Sequence, residues 1–244
     1  MIADAVRLGK GNTHIHALVE LDITNARSYL KSYKQDGGQS PSLTSYIIRA
    51  VLLALEENKS LHGIRDFRGG TRIFDEIDVF FPIENITQNP PELRSTIIRN
   101  AATKKIGDLD LVIEQARNAK QLNISATQRF FLRMPSILKS PFYYCWNRIP
   151  LIRKSYFGTV YISSILNMSI NRRSWGIPLP MHSFGIFIGG VSRRLVKTAE
   201  LLENRDMVQI TIGADHRVSN GGDIARFVRR LKYYLEDKNL LEEA

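Results

Sequence analysis

The sequence predicts an α/β (α+β) protein in which helices pack on a mixed β-sheet. Three observations carry this. Strand-like stretches occupy residues 14–21, 159–163, 184–190 and 207–214, and apolar residues recur at helical spacing over 43–55, 106–120 and 222–235. The two kinds of element are interleaved, yet several strands can pair antiparallel with a neighbour, which argues against a doubly wound parallel sheet.

Residues 14–21 place Ile15, Ala17, Val19 and Leu21 on one face of a strand. Asp22, Ile23, Thr24 and Asn25 then supply capping groups for a helix to about Tyr33, and Asp36, Gly37 and Gly38 form a turn. Ser40 and Pro41 are expected to open the next helix, as a capping hydroxyl followed by proline at the first helical position. Leu43, Tyr46, Ile47, Ala50, Val51, Ala54 and Leu55 give that helix one apolar face, and Asn58 and Lys59 close it. Residues 71–83 read as one strand, and Gln88, Asn89, Pro90 and Pro91 break any regular element before the helix of 106–120. Residues 128–154 mix aromatics with cations and carry Pro135, Pro141 and Pro150, so they allow only short helical pieces. The last helix sets Ile224, Phe227, Val228, Leu231 and Leu235 on one side.

A chain of 244 residues with 43% hydrophobic content can bury a substantial core. No linker composition or repeat divides it, so residues 1–244 are read as one domain. The single cysteine, Cys145, excludes an intrachain disulfide and suits a reducing compartment; set in an aromatic run, it reads as a buried thiol. The first residues lack the pattern of a secretory signal, and no run of about 18 apolar residues is present. These features predict a cytoplasmic protein.

The formal net charge is +10, unevenly spread. No Asp or Glu lies between Glu114 and Glu200, a stretch that includes Arg153, Lys154, Arg173, Arg193 and Arg194. Such a segment attracts anions: a phosphorylated cofactor, an anionic membrane surface, nucleic acid or an acidic partner. No recognised nucleic-acid-binding motif accompanies it, whereas the aromatics of 128–154 also suit docking at an anionic membrane surface.

The chemistry concentrates near the C-terminus. A strand runs into Gly213-Ala214-Asp215-His216-Arg217-Val218-Ser219-Asn220-Gly221-Gly222 and then a helix. A histidine at the end of a buried strand is held on a rigid element, and near neutral pH its imidazole can take a proton from a thiol or hydroxyl. His14, His16, His62 and His182 show no comparable setting, and no histidines or carboxylates have metal-ligand spacing. Neither a Walker-type glycine loop nor a GxSxG elbow is present.

The run from Asp215 to Gly221 resembles the DHRxxDG motif of dihydrolipoamide acyltransferases, the core subunits of 2-oxoacid dehydrogenase complexes, and the related HxxxDG of chloramphenicol acetyltransferase. Leu21-Asp22-Ile23-Thr24 is similar to that family's "VDVT" phrase. Gly158-Thr159-Val160-Tyr161-Ile162-Ser163-Ser164 is similar to its "GTFTISN" strand, and residues 184–193, with Gly189-Gly190-Val191, to its "ILAVGGV" strand. These similarities keep the family's order from about residue 2 to 236.

The resemblance implies a chloramphenicol-acetyltransferase-like fold, a homotrimer, and transfer of an acyl group from coenzyme A, as cosubstrate, to a thiol or hydroxyl acceptor. It implies His216 as general base and Ser163 as oxyanion stabiliser, contributed by different subunits. Ser164 replaces Ser163 if the strand slips by one, because neighbouring strand residues face opposite ways. Asn220 takes the place of the motif's Asp and joins the implied site, although a neutral amide cannot anchor an arginine as a carboxylate does. No metal is implied. The sequence shows no lipoyl domain, hence no covalent lipoyl group, and no peripheral-subunit-binding domain; a lipoyl domain acting in trans is one acceptor. The "GLxxPVI" segment is not recognisable, and Trp175-Gly176-Ile177-Pro178 is similar to a phrase of stand-alone relatives. Two further readings differ in class: a non-catalytic trimeric scaffold that kept the fold, and a basic membrane-surface binding module.

Overall fold

The structure is a computed structural model that describes residues 13–35, 40–85, 92–118, 149–166, 173–178, 181–198 and 201–243. The reading of Cys145, the break at residues 88–91 and most of the basic aromatic segment 128–154 lie outside these residues.

Among the described residues the main sheet has six strands: β1 (His14–Asp22), β4 (Val79–Asn85), β5 (Glu92–Ile98), β6 (Val160–Ser164), β7 (Phe184–Thr198) and β8 (Leu201–Asp215), in the spatial order β1-β8-β7-β6-β4-β5. It is mixed, as expected. β1 with β8, β8 with β7 and β4 with β5 are antiparallel, while β6 runs parallel to both β7 and β4. A small hairpin joins β2 (Ile64–Arg65) to β3 (Thr71–Arg72). The helices are α1 (Thr24–Gln35), α2 (Leu43–Glu56), α3 (Ile106–Asn118), α4 (Pro150–Phe157) and α5 (Gly221–Lys232).

Period two in the strands decides which face is dry. Val160 and Ile162, Ile186 and Ile188, and Val208, Ile210, Ile212 and Ala214 turn to one side. There they meet α1 through Ala26 and Leu30, α3 through Leu109 and Ile113, and α5 through Ile224, Phe227 and Leu231. The rings of Phe184 and Phe227 cross edge-on at 5.0 Å. Helix α2 sits at the centre of this layer. Besides the apolar face read from the sequence, its Ile48 and Leu52 are also fully buried. A helix apolar on nearly all sides belongs inside a domain rather than on its surface.

Several boundaries differ from the sequence expectations. Ser42, not Ser40, caps α2: its hydroxyl accepts from Ser45 N at 3.2 Å. Ser40 instead donates to Leu30 O at the end of α1 (2.9 Å), and Pro41 therefore precedes the helix. Residues 71–83 are not one strand but β3 and β4. Between them Ile77 O accepts from Ala101 N (2.8 Å) and Asp78 O accepts from Thr159 N (2.7 Å), so ladder groups are diverted and the chain bends. β7 and β8 extend past residues 190 and 207 as a long two-stranded arm, with Leu195, Leu201 and Leu202 about two-thirds exposed.

The other face of the sheet is crossed by residues 173–178. Ser174 O accepts from Gly190 N at 3.1 Å, beside the bulge where the β7–β8 register shifts. A Cβ on Gly189 would lie 2.1 Å from Ser174 O, and one on Gly176 would enter the Phe187 ring at 2.3 Å. Glycine at both positions lets this strap lie directly on the strands.

Candidate active site

β8 brings His216 to one end of the sheet's strands. The chain leaves the strand at Asp215 and turns at once, with Val218 N and Ser219 N both donating to Asp215 O (2.8 and 3.0 Å). His216 stands exposed on the outside of this turn, and its backbone N donates to Thr13 O at 2.7 Å. Asp215 is 2% exposed and fixes the turn from within: its Oδ1 accepts from Arg217 N (3.1 Å) and Nε (2.9 Å), and its Oδ2 from Arg217 Nη2 (2.6 Å). Burial works to raise the Asp215 carboxyl, but the bonds and charge of Arg217 together hold it below the usual carboxylate range.

Asn220 is the N-cap of α5. Its Oδ1 accepts from Gly222 N (2.8 Å) and Asp223 N (3.1 Å), and the Asp223 carboxylate accepts from Asn220 N (2.9 Å). This capping box gives the amide a structural task that the sequence reading did not foresee, and it fixes where the helix begins.

Ser163 lies on β6 with its side chain on the strap side of the sheet. Val160 and Ile162 belong to the helical core, so Tyr161 and Ser163 face away from it. Ser164 takes the opposite face, and its Oγ accepts from Leu166 N at 3.2 Å. Of the two serines, only Ser163 shares a face with the aromatic side chains Phe80, Tyr161 and Phe187.

Within one chain Ser163 and His216 are far apart. Ser163 is level with Phe187 on β7, and Phe187 with Thr211 on β8. Two strand spacings of about 4.8 Å and five residues at about 3.3 Å put their Cα atoms roughly 19 Å apart.

The structure also recruits histidines that the sequence reading set aside. His14 Nε2 donates to His182 O (2.9 Å), His182 Nε2 donates to Phe157 O (2.6 Å), and Asp215 N donates to Ser183 O (2.8 Å). Arg153 of α4, 7% exposed, bonds Met181 O. The turn of residues 181–183 is thus tied to α4, to β1 and to the residue that carries His216. Burial and the Arg153 charge press His182 down to about 3, and burial lowers His14 as well, so both rings are neutral at pH 7. His14 could have been found from the alternation of β1, since it falls opposite the face of Ile15 and Ala17. His182 gave no such signal.

Four cations of the basic stretch are engaged in ion pairs. Lys154 pairs with Glu76 and Asp78, Arg173 and Arg194 with Glu20, and Arg193 with Asp206. These four do not form the free cationic face that the sequence suggested. Among the described residues no helix is long and apolar enough to cross a membrane, and no cluster of three or more His, Cys, Asp or Glu could hold a metal ion.

Residues 174–242 match the family described as 2-oxoacid dehydrogenases acyltransferase (catalytic domain). No curated protein matches the sequence. Among solved structures, a probable dihydrolipoamide acetyltransferase from Listeria monocytogenes is 20% identical with a TM-score of 0.70, covering 98% of this chain and 93% of that one. The dihydrolipoamide acetyltransferase of Azotobacter vinelandii, studied for the roles of a serine, a histidine and an asparagine in its catalytic mechanism, is 16% identical with a TM-score of 0.70, over 98% and 88% of the two chains. A chloramphenicol acetyltransferase is 13% identical with a TM-score of 0.55, over 96% and 94%. The whole chain therefore has the chloramphenicol-acetyltransferase-like fold of the dihydrolipoamide acyltransferase catalytic cores, and its residues 174–242, His216 among them, carry the match to the 2-oxoacid dehydrogenase acyltransferase catalytic domain.

Proposed function

We propose that this protein transfers an acyl group from coenzyme A to a thiol or hydroxyl acceptor. His216 serves as general base, and Ser163 of a neighbouring subunit supplies the oxyanion donor. The observation that carries the reading is the His216 turn: an exposed imidazole at the end of a buried strand, clamped by Asp215 and Arg217 and by the backbone bond to Thr13. The separation of His216 and Ser163 within one chain supports an assembly of several copies, and a trimer is the form the family resemblance implies. In the Azotobacter vinelandii enzyme the histidine and asparagine of interest stand four residues apart, as His216 and Asn220 do.

The steps balance without a metal. Neutral His216 takes the acceptor proton, and the resulting thiolate or oxyanion adds to the thioester carbonyl. The carbonyl oxygen becomes an oxyanion that accepts a hydrogen bond from Ser163. Collapse of the intermediate breaks the carbon–sulfur bond, and the coenzyme A thiolate takes the proton back from His216. A well-placed donor to the oxyanion contributes roughly 3–4 kcal/mol, or 10²–10³ in rate. Asn220 acts on this chemistry by anchoring the start of α5 behind the His216 turn.

The test is coenzyme A release from a panel of acyl-CoAs, with dihydrolipoamide, simple thiols and alcohols as acceptors, by the native chain and His216→Ala. Acceptor-dependent turnover that drops about a hundredfold or more in the variant is the expected result. A folded protein that neither turns over nor binds coenzyme A would be a scaffold, and the proposal would fall.

A further inference from the structure

Arg99, Arg205, Arg217 and Arg226 each meet a carboxylate. By contrast, Arg65, Arg68 and Arg72 on the β2–β3 hairpin form no ion pair among the described residues. The acids that follow in the chain are engaged elsewhere, Asp75 with Lys59 (3.7 Å) and Glu76 with Lys154. Asp66 lies on the hairpin itself, but its Oδ1 accepts from Arg68 N and Gly70 N, both at 2.8 Å, and so shapes the tip. Residues 64–72 carry three arginines against one aspartate, outside the one-signed segment between Glu114 and Glu200.

The hairpin borders the turn that carries His216. Arg65 bridges the two: its Nη2 donates to Gly69 O at 3.0 Å and its Nη1 to Arg217 O at 3.4 Å. A Cβ on Gly63, which leads into β2, would lie 2.6 Å from Thr71 Cγ2 and 3.5 Å from Val218 Cγ1, so the base of the hairpin packs against the turn. Arg68 and Arg72 are exposed. Each guanidinium rests near an aromatic ring, Arg68 at 5.2 Å from the Phe67 centroid and Arg72 at 5.4 Å from that of Phe74. Such a contact steadies the side chain while its N–H groups stay free for an oxygen anion.

We propose that the acceptor at the His216 site is a small anion whose charged group is bound by Arg68 and Arg72. The inference rests on the acyltransferase reading and narrows it, from any thiol or hydroxyl to one that also carries a carboxylate or phosphate. The acceptor's reacting atom must meet the imidazole, so a charge elsewhere on a small molecule falls beside the turn, where the hairpin lies. The phosphates of coenzyme A stand a full pantetheine arm away from its sulfur and need a more distant partner. Guanidinium forks match the paired oxygens of carboxylate and phosphate. Arg217 is already taken up by Asp215, which leaves this task to the hairpin. Phe67, 63% exposed, offers an apolar surface for the carbon skeleton between the charge and the reacting atom.

Dihydrolipoate and dihydrolipoamide make a matched pair of probes, the same dithiol with and without a carboxylate. Native protein should use dihydrolipoate with a kcat/KM about three- to tenfold higher, the scale of two solvent-exposed ion pairs. The preference should shrink as ionic strength rises from about 0.05 to about 0.5 M. In Arg68→Gln/Arg72→Gln it should vanish, chiefly through KM. A preference that survives in this variant, or that native protein lacks, overturns the proposal. If the variant instead raises KM for acyl-CoA but not for the same acyl group on pantetheine, the arginines hold the nucleotide of coenzyme A and the proposal falls. A second measurement needs no turnover. In protein labelled with ¹⁵N-arginine, the Nε resonances of Arg68 and Arg72 should move on titration with dihydrolipoate and not with dihydrolipoamide. Unmoved resonances refute the anion site. If they move while the native chain neither binds coenzyme A nor turns over any acceptor, the acyltransferase reading fails, the acceptor assignment falls with it, and the hairpin is left as an anion site alone.

Discussion

Mixing two inactive variants would test the assignment of His216 and Ser163 to different subunits. Purified His216→Ala and Ser163→Ala proteins, each nearly inactive alone, are unfolded together in denaturant, refolded as a 1:1 mixture and assayed for acceptor-dependent coenzyme A release. In one chain the two Cα atoms are roughly 19 Å apart, from two strand spacings and five residues of rise. Catalysis needs the imidazole and the hydroxyl within one substrate's reach, about 3 Å from the atoms they serve. No side-chain rotation closes such a gap. In a cyclic assembly each site takes its histidine from one copy and its serine from the next. Random mixing gives each copy an even chance of being either variant, so a site receives an intact histidine and an intact serine with probability one half times one half. Recovery of about a quarter of native activity follows. If the mixture shows only the average of the two parents, while native chains taken through the same refolding recover their activity, the pairing across subunits is wrong and Ser163 is not the partner of His216.

Three further outcomes follow from local geometry. His62 is fully buried, and burial together with Lys59 presses it down to about 4, while both its ring nitrogens lack partners among the described residues. Because the unfolded chain holds that proton near pH 6.5 and the folded chain does not, stability falls as pH drops below 6.5, by about 2 kcal/mol at pH 5 for His62 and about as much for His182. Urea midpoints across pH 8 to 5 should show this loss, and His62→Met should make the slope clearly shallower; an unchanged slope would contradict the burial argument. Gly189→Ala sets a methyl against Ser174 O and Gln209 O, both backbone atoms, so thermal unfolding should report about 1–3 kcal/mol of destabilisation. Asn220→Ala should cost about 1 kcal/mol as a lost cap, whereas Asn220→Asp, an equally good cap, should unfold within about 0.5 kcal/mol of native.

What was legible in the sequence followed from burial. Residues 14–21, 184–190 and 207–214 alternate because one face meets the helices, and their strands appear where the pattern places them. The outer arm of β7 and β8 was missed because Arg193 to Lys197 and Leu201 to Arg205 pair as strands with each other and lie over no buried core, so nothing imposes period two. β5 escaped for a related reason: among the described residues it is an edge strand, next to β4 alone, and its Arg94 is buried where an apolar residue would have signalled a strand. Ser40 and Ser42 flank the same proline, and spacing alone could not separate them; the choice depends on Leu30 O, ten residues away from Ser40, which takes the first hydroxyl. The site divides similarly. His216 and Ser163 sit in recognisable phrases, but His14 and Arg153 matter through what they touch far along the chain.

The engagement of Asp215 bears on how His216 can work. A carboxylate next to a catalytic histidine invites the role of orienting partner, fixing the tautomer as in a triad. Here both Asp215 oxygens accept from Arg217, and the side chain is buried inside the turn while the imidazole projects outward. The carboxylate thus stabilises the backbone that carries His216 rather than the imidazolium that forms on it. Asp215→Asn should then act chiefly on the turn. It leaves Arg217 without its charged partner, so it should lower the unfolding midpoint and kcat together. The apparent pKa of the kcat/KM profile, which reports the base in the free enzyme, should move by less than about half a unit. A variant that folds with native stability yet shows that pKa displaced by a full unit or more would return Asp215 to the role of orienting partner.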